Sequence, residues 1–182
     1  MKRMVLIGLG NPGDKFKGTR HNLGIDALRA WVREMEGEDW KEEPSFFSEV
    51  ASAHVNDMRV DCMFPLTFMN DVGKAVAAYL AFYNLDSSNV LVIHDDLELP
   101  LGEVAVKETG SAHGHNGVRS IHQALGTDEL RRVRIGIGRP LDDTPVDAFV
   151  LQRFTPEERA LVEEALTKAS PVISQQVQQL TE

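Results

Sequence analysis

Apolar residues along this chain recur with two different periods, and segments of the two kinds alternate from one end to the other. Met4-Val5-Leu6-Ile7 is a short unbroken apolar run that breaks into glycines, as expected of a strand buried on both faces. From Asn22 onward, Leu28, Trp31, Val32 and Met35 fall on one helical face, with Gly37 as a stop. Phe46 to Val55 and Met58 to Phe64 read as the strands of a hairpin around Asn56-Asp57, and Pro65 ends the second. Asn70 or Asp71 caps a helix whose Val72, Val76, Tyr79, Leu80 and Tyr83 make a stripe at helical spacing. Val90 to Ile93 is another apolar strand, and His94-Asp95-Asp96 sits where it runs out, the strand end that active sites of open α/β sheets favour.

Beyond it, Glu103 to Lys107 reads as a strand, Val118, Ile121 and Leu125 mark a helix closed by Gly126, and Val133, Ile135 and Ile137 alternate in a further strand. Thr155-Pro156-Glu157-Glu158 combines a capping box with proline at the first helical position, and Pro171 is expected to kink or divide the helix that follows. The sum is an α/β fold, with a twisted, mixed, mostly parallel sheet and helices on both faces. No repeat, low-complexity tract or linker marks a boundary. Residues 1–182 therefore read as a single domain with a C-terminal helical segment at about 155–182.

At 182 residues the chain is long enough to bury a core without disulfides or a structural metal. Cys62 has no second cysteine to pair with, no charged-then-apolar leader is visible, and no apolar run approaches about 18 residues. A soluble cytoplasmic protein is expected, with no membrane partner. The 28 acidic and 19 basic side chains give a formal charge of −9, which repels polyanions at long range. A single groove can still carry the opposite sign, so acidity weakens a nucleic-acid partner without excluding one.

Gly8-Leu9-Gly10-Asn11-Pro12-Gly13 satisfies the dinucleotide fingerprint and follows a strand, but the context disagrees. Pro12 and the polar stretch Asp14 to Arg20 intervene where the helix should open. A tight turn accounts for the glycines but not for Asn11, whose amide can donate to an oxygen that gains negative charge during a reaction. Thr19-Arg20-His21-Asn22 places a histidine just before a helix. A lone histidine is ordinarily structural; what raises His21 above that is an acid at another strand end able to fix its tautomer, Asp95 or its neighbour Asp96.

His94, Asp95, Asp96, His113 and His115 also allow a metal reading, yet no ligand-spacing motif is present and adjacent strand residues point to opposite faces. These residues favour a metal-free mechanism. Covalent catalysis gains no support, since there is no nucleophile elbow and Cys62 lies in strand-like sequence. Asn70 and Asn116 are explained equally well as helix caps. Lys107, Arg131, Arg132, Arg134 and Arg139 can hold phosphate or simply solvate the surface.

Taken together, Gly8 to Gly13, Thr19 to Gly24, Thr67-Phe68-Met69-Asn70, His94 to Pro100 and Gly114-His115-Asn116-Gly117 resemble the bacterial-type peptidyl-tRNA hydrolase family, and Arg134 to Gly138 extends the match. The resemblance spans the first strand to about residue 150. It implies hydrolysis of the ester joining a peptide to the terminal ribose of tRNA, with peptidyl-tRNA as the partner, DNA excluded, and neither a metal nor an organic cofactor. His21 would activate water, Asp95 rather than Asp96 would orient it, a choice that only the resemblance makes, and Asn11 would bind near the reacting carbonyl. Asn70 and Asn116 would position substrate or water. Phe68, Met69 and His115 would line the peptide side, and Lys107 with Arg134 would clamp the tRNA 5′ phosphate. A monomer is expected, although no residue pattern speaks to assembly.

The chain departs from the family pattern in three places. Ala112 replaces a loop histidine and His113 a glycine, Phe16 stands for the usual tyrosine beside the substrate, and the segment from Thr155 holds five Glu against Arg159 and Lys168. The loop change bears on loop flexibility and substrate gating, Phe16 loses a hydroxyl, and the acidic last segment is expected to weaken tRNA binding. Two rival readings stay open: a non-catalytic RNA-binding protein of the same fold, as with the chloroplast splicing factors that resemble these hydrolases, and a hydrolase of small esters or nucleoside-like substrates.

Overall fold

The computed structural model describes residues 3–180 and contains one seven-stranded sheet. The strands are β1 (Arg3–Gly8), β2 (Lys41–Glu43), β3 (Ser48–Val55), β4 (Met58–Pro65), β5 (Val90–Asp96), β6 (Val104–Lys107) and β7 (Arg131–Gly136), in the spatial order β2-β3-β4-β1-β5-β7-β6. The four central strands β4, β1, β5 and β7 run parallel, while β2, β3 and β6 join antiparallel at the edges. The mixed α/β sheet expected from the sequence is present, with parallel pairing confined to its centre.

Both faces are covered, which is why β1 and β5 carry unbroken apolar runs at Met4–Ile7 and Val90–Ile93. On one face, α1 (Leu23–Glu34) and α5 (Arg159–Gln179) pack Leu28, Trp31, Ala165 and Ile173 against Met4, Leu6, Leu91 and Ile93. On the other, α2 (Val72–Tyr83) and α3 (Asn116–Leu125) pack Val76, Tyr79 and Ile121 against Val5, Ile7, Val90 and Val92. A short turn of helix, α4 (Val146–Phe149), lies between β7 and α5.

Several local expectations are corrected. The hairpin's first strand starts at Ser48 rather than Phe46, because Pro44 to Phe46 forms a 3-10 turn and Phe47 takes a left-handed φ of 50°. The edge strand β2 carries only exposed Lys41, Glu42 and Glu43, so no apolar signal announces it. The N-cap of α2 is Asp71, not Asn70, and its side chain makes no capping bond. Pro171 does not divide α5, which is continuous from Arg159 to Gln179; the proline is exposed, on the solvent side of the helix. The capping box at Thr155 and Glu158 is formed. The end of the expected C-terminal segment, residues 181–182, lies outside the described residues.

Candidate active site

The site forms where β1 and β5 end. The loop after β1 carries Asn11, a 3-10 turn over Arg20–Asn22 carries His21, and β5 carries Asp95. Close backbone approach brings them together: a Cβ on Gly24, at the start of α1, would lie 2.3 Å from the Ile93 carbonyl oxygen, two residues before Asp95. Cβ atoms on Gly8 and Gly10 would likewise meet Ile25 at 2.9 and 2.8 Å. Gly8 and Gly10 thus admit the start of α1 against the loop, and Gly13 takes a φ of 101°, which accounts for all three without a pyrophosphate.

His21 is buried, and its Nδ1 lies 3.0 and 2.9 Å from the two oxygens of Asp95. Facing a carboxylate, Nδ1 carries the proton and donates it, which leaves Nε2 with the lone pair that a general base needs. Burial works against a charge on His21, but the charge of Asp95 and the hydrogen bond to it outweigh burial, so the imidazole pKa is raised. Burial likewise opposes ionisation of Asp95. The charges of His21 and His115 and their hydrogen bonds overcome it and hold the carboxyl well below the usual range.

His115 completes the cluster. Its Nδ1 accepts from the backbone N–H groups of Gly117 and Val118 at 3.1 and 3.3 Å, so it is the N-cap of α3, and Asn116 is the helix's first, exposed residue rather than its cap. With Nδ1 accepting, the proton sits on Nε2, which donates to Asp95 Oδ1 at 2.9 Å. The donor atoms of His21, Asp95 and His115 lie within 4.8 Å of one another, a set that can ligate a divalent ion. Each nitrogen is already within hydrogen-bond distance of the carboxylate, and the tautomer of His115 is fixed by its cap. The geometry is thus satisfied by protons.

His94 meets His115 edge to face with ring centroids 4.9 Å apart and donates Nδ1–H to the Asp95 carbonyl at 2.7 Å. Burial, then the neighbouring His115, push its pKa down to about 3, so His94 is neutral and serves as packing behind the pair.

Asn11 is fixed from three sides. Its backbone N–H donates to Asn22 Oδ1 at 2.9 Å, its carbonyl accepts from Asn22 Nδ2 at 3.0 Å, and its Oδ1 accepts from the Met69 N–H at 2.8 Å. The Met69 contact sets the amide orientation and leaves Nδ2 with no acceptor among the described residues. An unengaged donor held in a rigid loop is the group expected to stabilise a developing oxyanion. Asn22, which holds that loop, was visible in the sequence only as the residue after His21.

The remaining expected site residues are distributed around this centre. His21, Asp95, His115, Asn116 and Arg134 line a cavity of about 300 Å3 closed on one side by Val146, Asp147 and Val150. Asn11 and buried Met69 are joined by their hydrogen bond, whereas Phe16 and Phe68 meet edge to face at 6.4 Å, with Phe68 largely exposed. Asn70 is exposed in the turn before α2. Lys107 and Arg134 share one face of the β6–β7 ladder with Arg132, since Lys107 pairs with Arg132 and Ala105 with Arg134. Lys107 does not line the cavity; its Nζ donates to His113 Nε2 at 2.7 Å. Arg134 binds Asp96 at 3.1 Å, and buried Arg132 holds the loop carbonyls of Gly110 and Ser111 at 3.0 and 3.1 Å.

Comparison with known proteins bears on the family and fold of the chain as a whole. A sequence model of the family described as Peptidyl-tRNA hydrolase matches residues 5–182. The chain is 42% identical over 165 residues to a peptidyl-tRNA hydrolase of Lactococcus lactis subsp. cremoris (strain MG1363), covering 91% of this chain and 87% of that protein. It superposes on the crystal structure of a peptidyl-tRNA hydrolase from Acinetobacter baumannii with a TM-score of 0.85 at 30% identity, covering 97% of this chain and 91% of that one. A peptidyl-tRNA hydrolase crystallised with n-propanol gives a TM-score of 0.89 at 30% identity, over 98% and 90% of the two chains.

Proposed function

Because this chain belongs to the peptidyl-tRNA hydrolase family, we propose that it hydrolyses the ester between peptide and tRNA by means of a water activated at His21. The observation that carries the mechanism is the His21 Nδ1 to Asp95 contact at 2.9 Å beside the unengaged amide of Asn11. His21 Nε2 takes a proton from water, and the oxygen forms a bond to the ester carbonyl carbon. The carbonyl oxygen becomes negative and accepts from Asn11 Nδ2. The carbon–oxygen bond to the ribose then breaks, and the departing oxygen takes the proton back from His21. Peptide acid and free tRNA result.

Asp95 stays ionised throughout and stabilises the imidazolium formed between the two proton transfers. An alcohol leaves more readily than an amine, so one base and one amide donor suffice for an ester. Asn116, at the mouth of the cavity, and exposed Asn70 are assigned to substrate or water. Phe16, Phe68, Met69 and His115 are assigned to the peptide side. Lys107 and Arg134 are assigned to the tRNA 5′ phosphate, a reading supported by three basic side chains sharing one face of β6 and β7. The substrate arises in translation, so the reading includes a cytoplasmic enzyme; among the described residues no helix is long and apolar enough to cross a membrane. One chain supplies every group used, so a monomer suffices.

The test is hydrolysis of N-blocked aminoacyl-tRNA by wild type and His21→Ala, with a chelator present and at two salt concentrations. Turnover that survives the chelator and falls by about 10²–10⁴ in the variant is expected. A folded wild type that binds tRNA without turnover would overturn the reading in favour of a non-catalytic RNA-binding protein.

A further inference from the structure

The residue before the base is an arginine whose side chain is only 5% exposed. Its guanidinium meets Glu158 in a two-pronged pair, Nη1 to Oε1 and Nη2 to Oε2, both 3.0 Å. The rings of Phe149 and Phe154 lie 4.5 and 4.9 Å from the guanidinium carbon. Glu158 is itself anchored, since its Oε2 accepts the Thr155 N–H at 2.8 Å in the capping box that opens the C-terminal helix. The backbone adds two bonds in the same place: Arg20 N–H donates to the Gln152 carbonyl at 3.0 Å and His21 N–H to the Val150 carbonyl at 2.8 Å. A bridge between Thr19 and Arg153 continues the pairing.

We propose that Arg20 and Glu158 are positioning residues for the hydrolytic reaction, fixing His21 against Asp95 by clamping its turn to the segment from Phe149 to Glu158. The same segment supplies Val150 to the cavity wall, so one clamp sets both the base and the space beside it. Burying a charged pair stabilises a fold little better than apolar side chains of the same size, whereas a bidentate pair accepts only one geometry. That geometry is transmitted directly, because Arg20 and His21 are consecutive residues of one 3-10 turn. A displacement of a reacting group by about 1 Å can cost on the order of a hundredfold in rate.

The inference rests on His21 being the base, and the experiment separates the two. Glu158→Gln keeps size and an acceptor but removes the charge; Glu158 is 28% exposed, so the variant is expected to fold. Turnover and KM on N-blocked aminoacyl-tRNA, the His21 titration by NMR with His21→Ala to assign its signal, and Tm are measured together. The expected result is a kcat at least about tenfold lower with KM within about twofold. The His21 midpoint moves down toward an ordinary imidazole value, because the imidazole no longer sits squarely on Asp95. Arg20→Met serves as the second variant, and combining it with Glu158→Gln adds no further loss if the two act as one device.

Wild-type kcat and an unmoved His21 midpoint in Glu158→Gln would overturn the proposal. So would a kcat loss that disappears when the variant is assayed far below its Tm, since the pair would then only stabilise the fold. An inactive wild type would refute the hydrolase reading, while the NMR midpoint would still decide this one.

Discussion

The Nε2–H of His115 and the Nδ1–H of His21 converge on one carboxylate, that of Asp95, with His115 at 2.9 Å from Oδ1. Asp95 is thus shared between a histidine committed to capping α3 and one free to act as a base. The first holds the acid in place and competes for its charge. Their rings stand 4.8 Å apart, so changes at His115 reach His21 through Asp95 and by direct contact.

His115→Ala removes both roles. Loss of the cap is expected to cost about 1 kcal/mol of stability. Loss of the hydrogen bond leaves the Asp95 charge to His21 alone, which raises the His21 pKa further. Since a protonated His21 cannot accept from water, the acid limb of the kcat/KM profile is expected to move to higher pH. Asp95→Asn moves the same limb the other way and lowers the plateau. A pH–rate series on the two variants checks both directions, and identical limbs would refute the shared-acid account.

Gly24→Ala tests how the base is brought to the acid. A Cβ there would lie 2.3 Å from the Ile93 carbonyl oxygen and 2.9 Å from its carbon, both backbone atoms of a central strand. Either α1 or β5 must shift, at a cost of about 1–3 kcal/mol by analogy with overpacked cores. His21 precedes α1 and Asp95 ends β5, so kcat is expected to fall more than the loss of Tm explains. A variant that loses Tm but keeps wild-type kcat at low temperature would show that the shift is absorbed elsewhere.

Much of this arrangement is legible in the sequence, and the illegible parts share a cause. The unbroken apolar runs of β1 and β5 and the stripes of α1 and α2 announce themselves because burial imposes a period. Asn11 and His21 stand out because a tight turn and a helix start do not by themselves call for them, while Asp95 is separated from Asp96 only by the family resemblance. The edge strand β2 gives no signal, since Lys41-Glu42-Glu43 is held by backbone bonds to β3 alone. His115 acts as a cap in place of the asparagine beside it, which residue preferences do not favour. The Arg20–Glu158 pair joins positions 138 residues apart, and only the folded backbone brings them together.

Asp26 sits in the first turn of α1 with its pKa pushed up to about 6 by burial, against the partial pull of Arg29 and Arg33. The folded state therefore holds a proton that the unfolded chain, with its carboxyl near the usual 3.8, has already released. Stability linked to Asp26 is complete below that value and is lost as pH rises through about 6. Asp26→Asn is expected to raise stability at pH 7 by about 1–3 kcal/mol and to flatten the dependence between those two limits. Denaturant unfolding at pH 4, 5, 6 and 7 reads this directly, and equal slopes in both proteins would contradict it.

Lys107 offers the cleaner test of tRNA binding, because Arg134→Ala also strips Asp96 of its partner. Against a net charge of −9, affinity for tRNA must come from few cationic contacts, so the salt dependence of binding should be shallow. At matched salt, affinity should lie below that of a basic relative. Removing Lys107 is expected to reduce the slope of log K against log salt by about 0.7–0.9, the increment for one phosphate contact. If that phosphate is the 5′ terminal one, enzymatic removal of it from the substrate weakens wild type and leaves Lys107→Ala unchanged. An equal effect on both proteins would place the Lys107 contact elsewhere on the tRNA, and the clamp assignment would fall while the hydrolytic site stood.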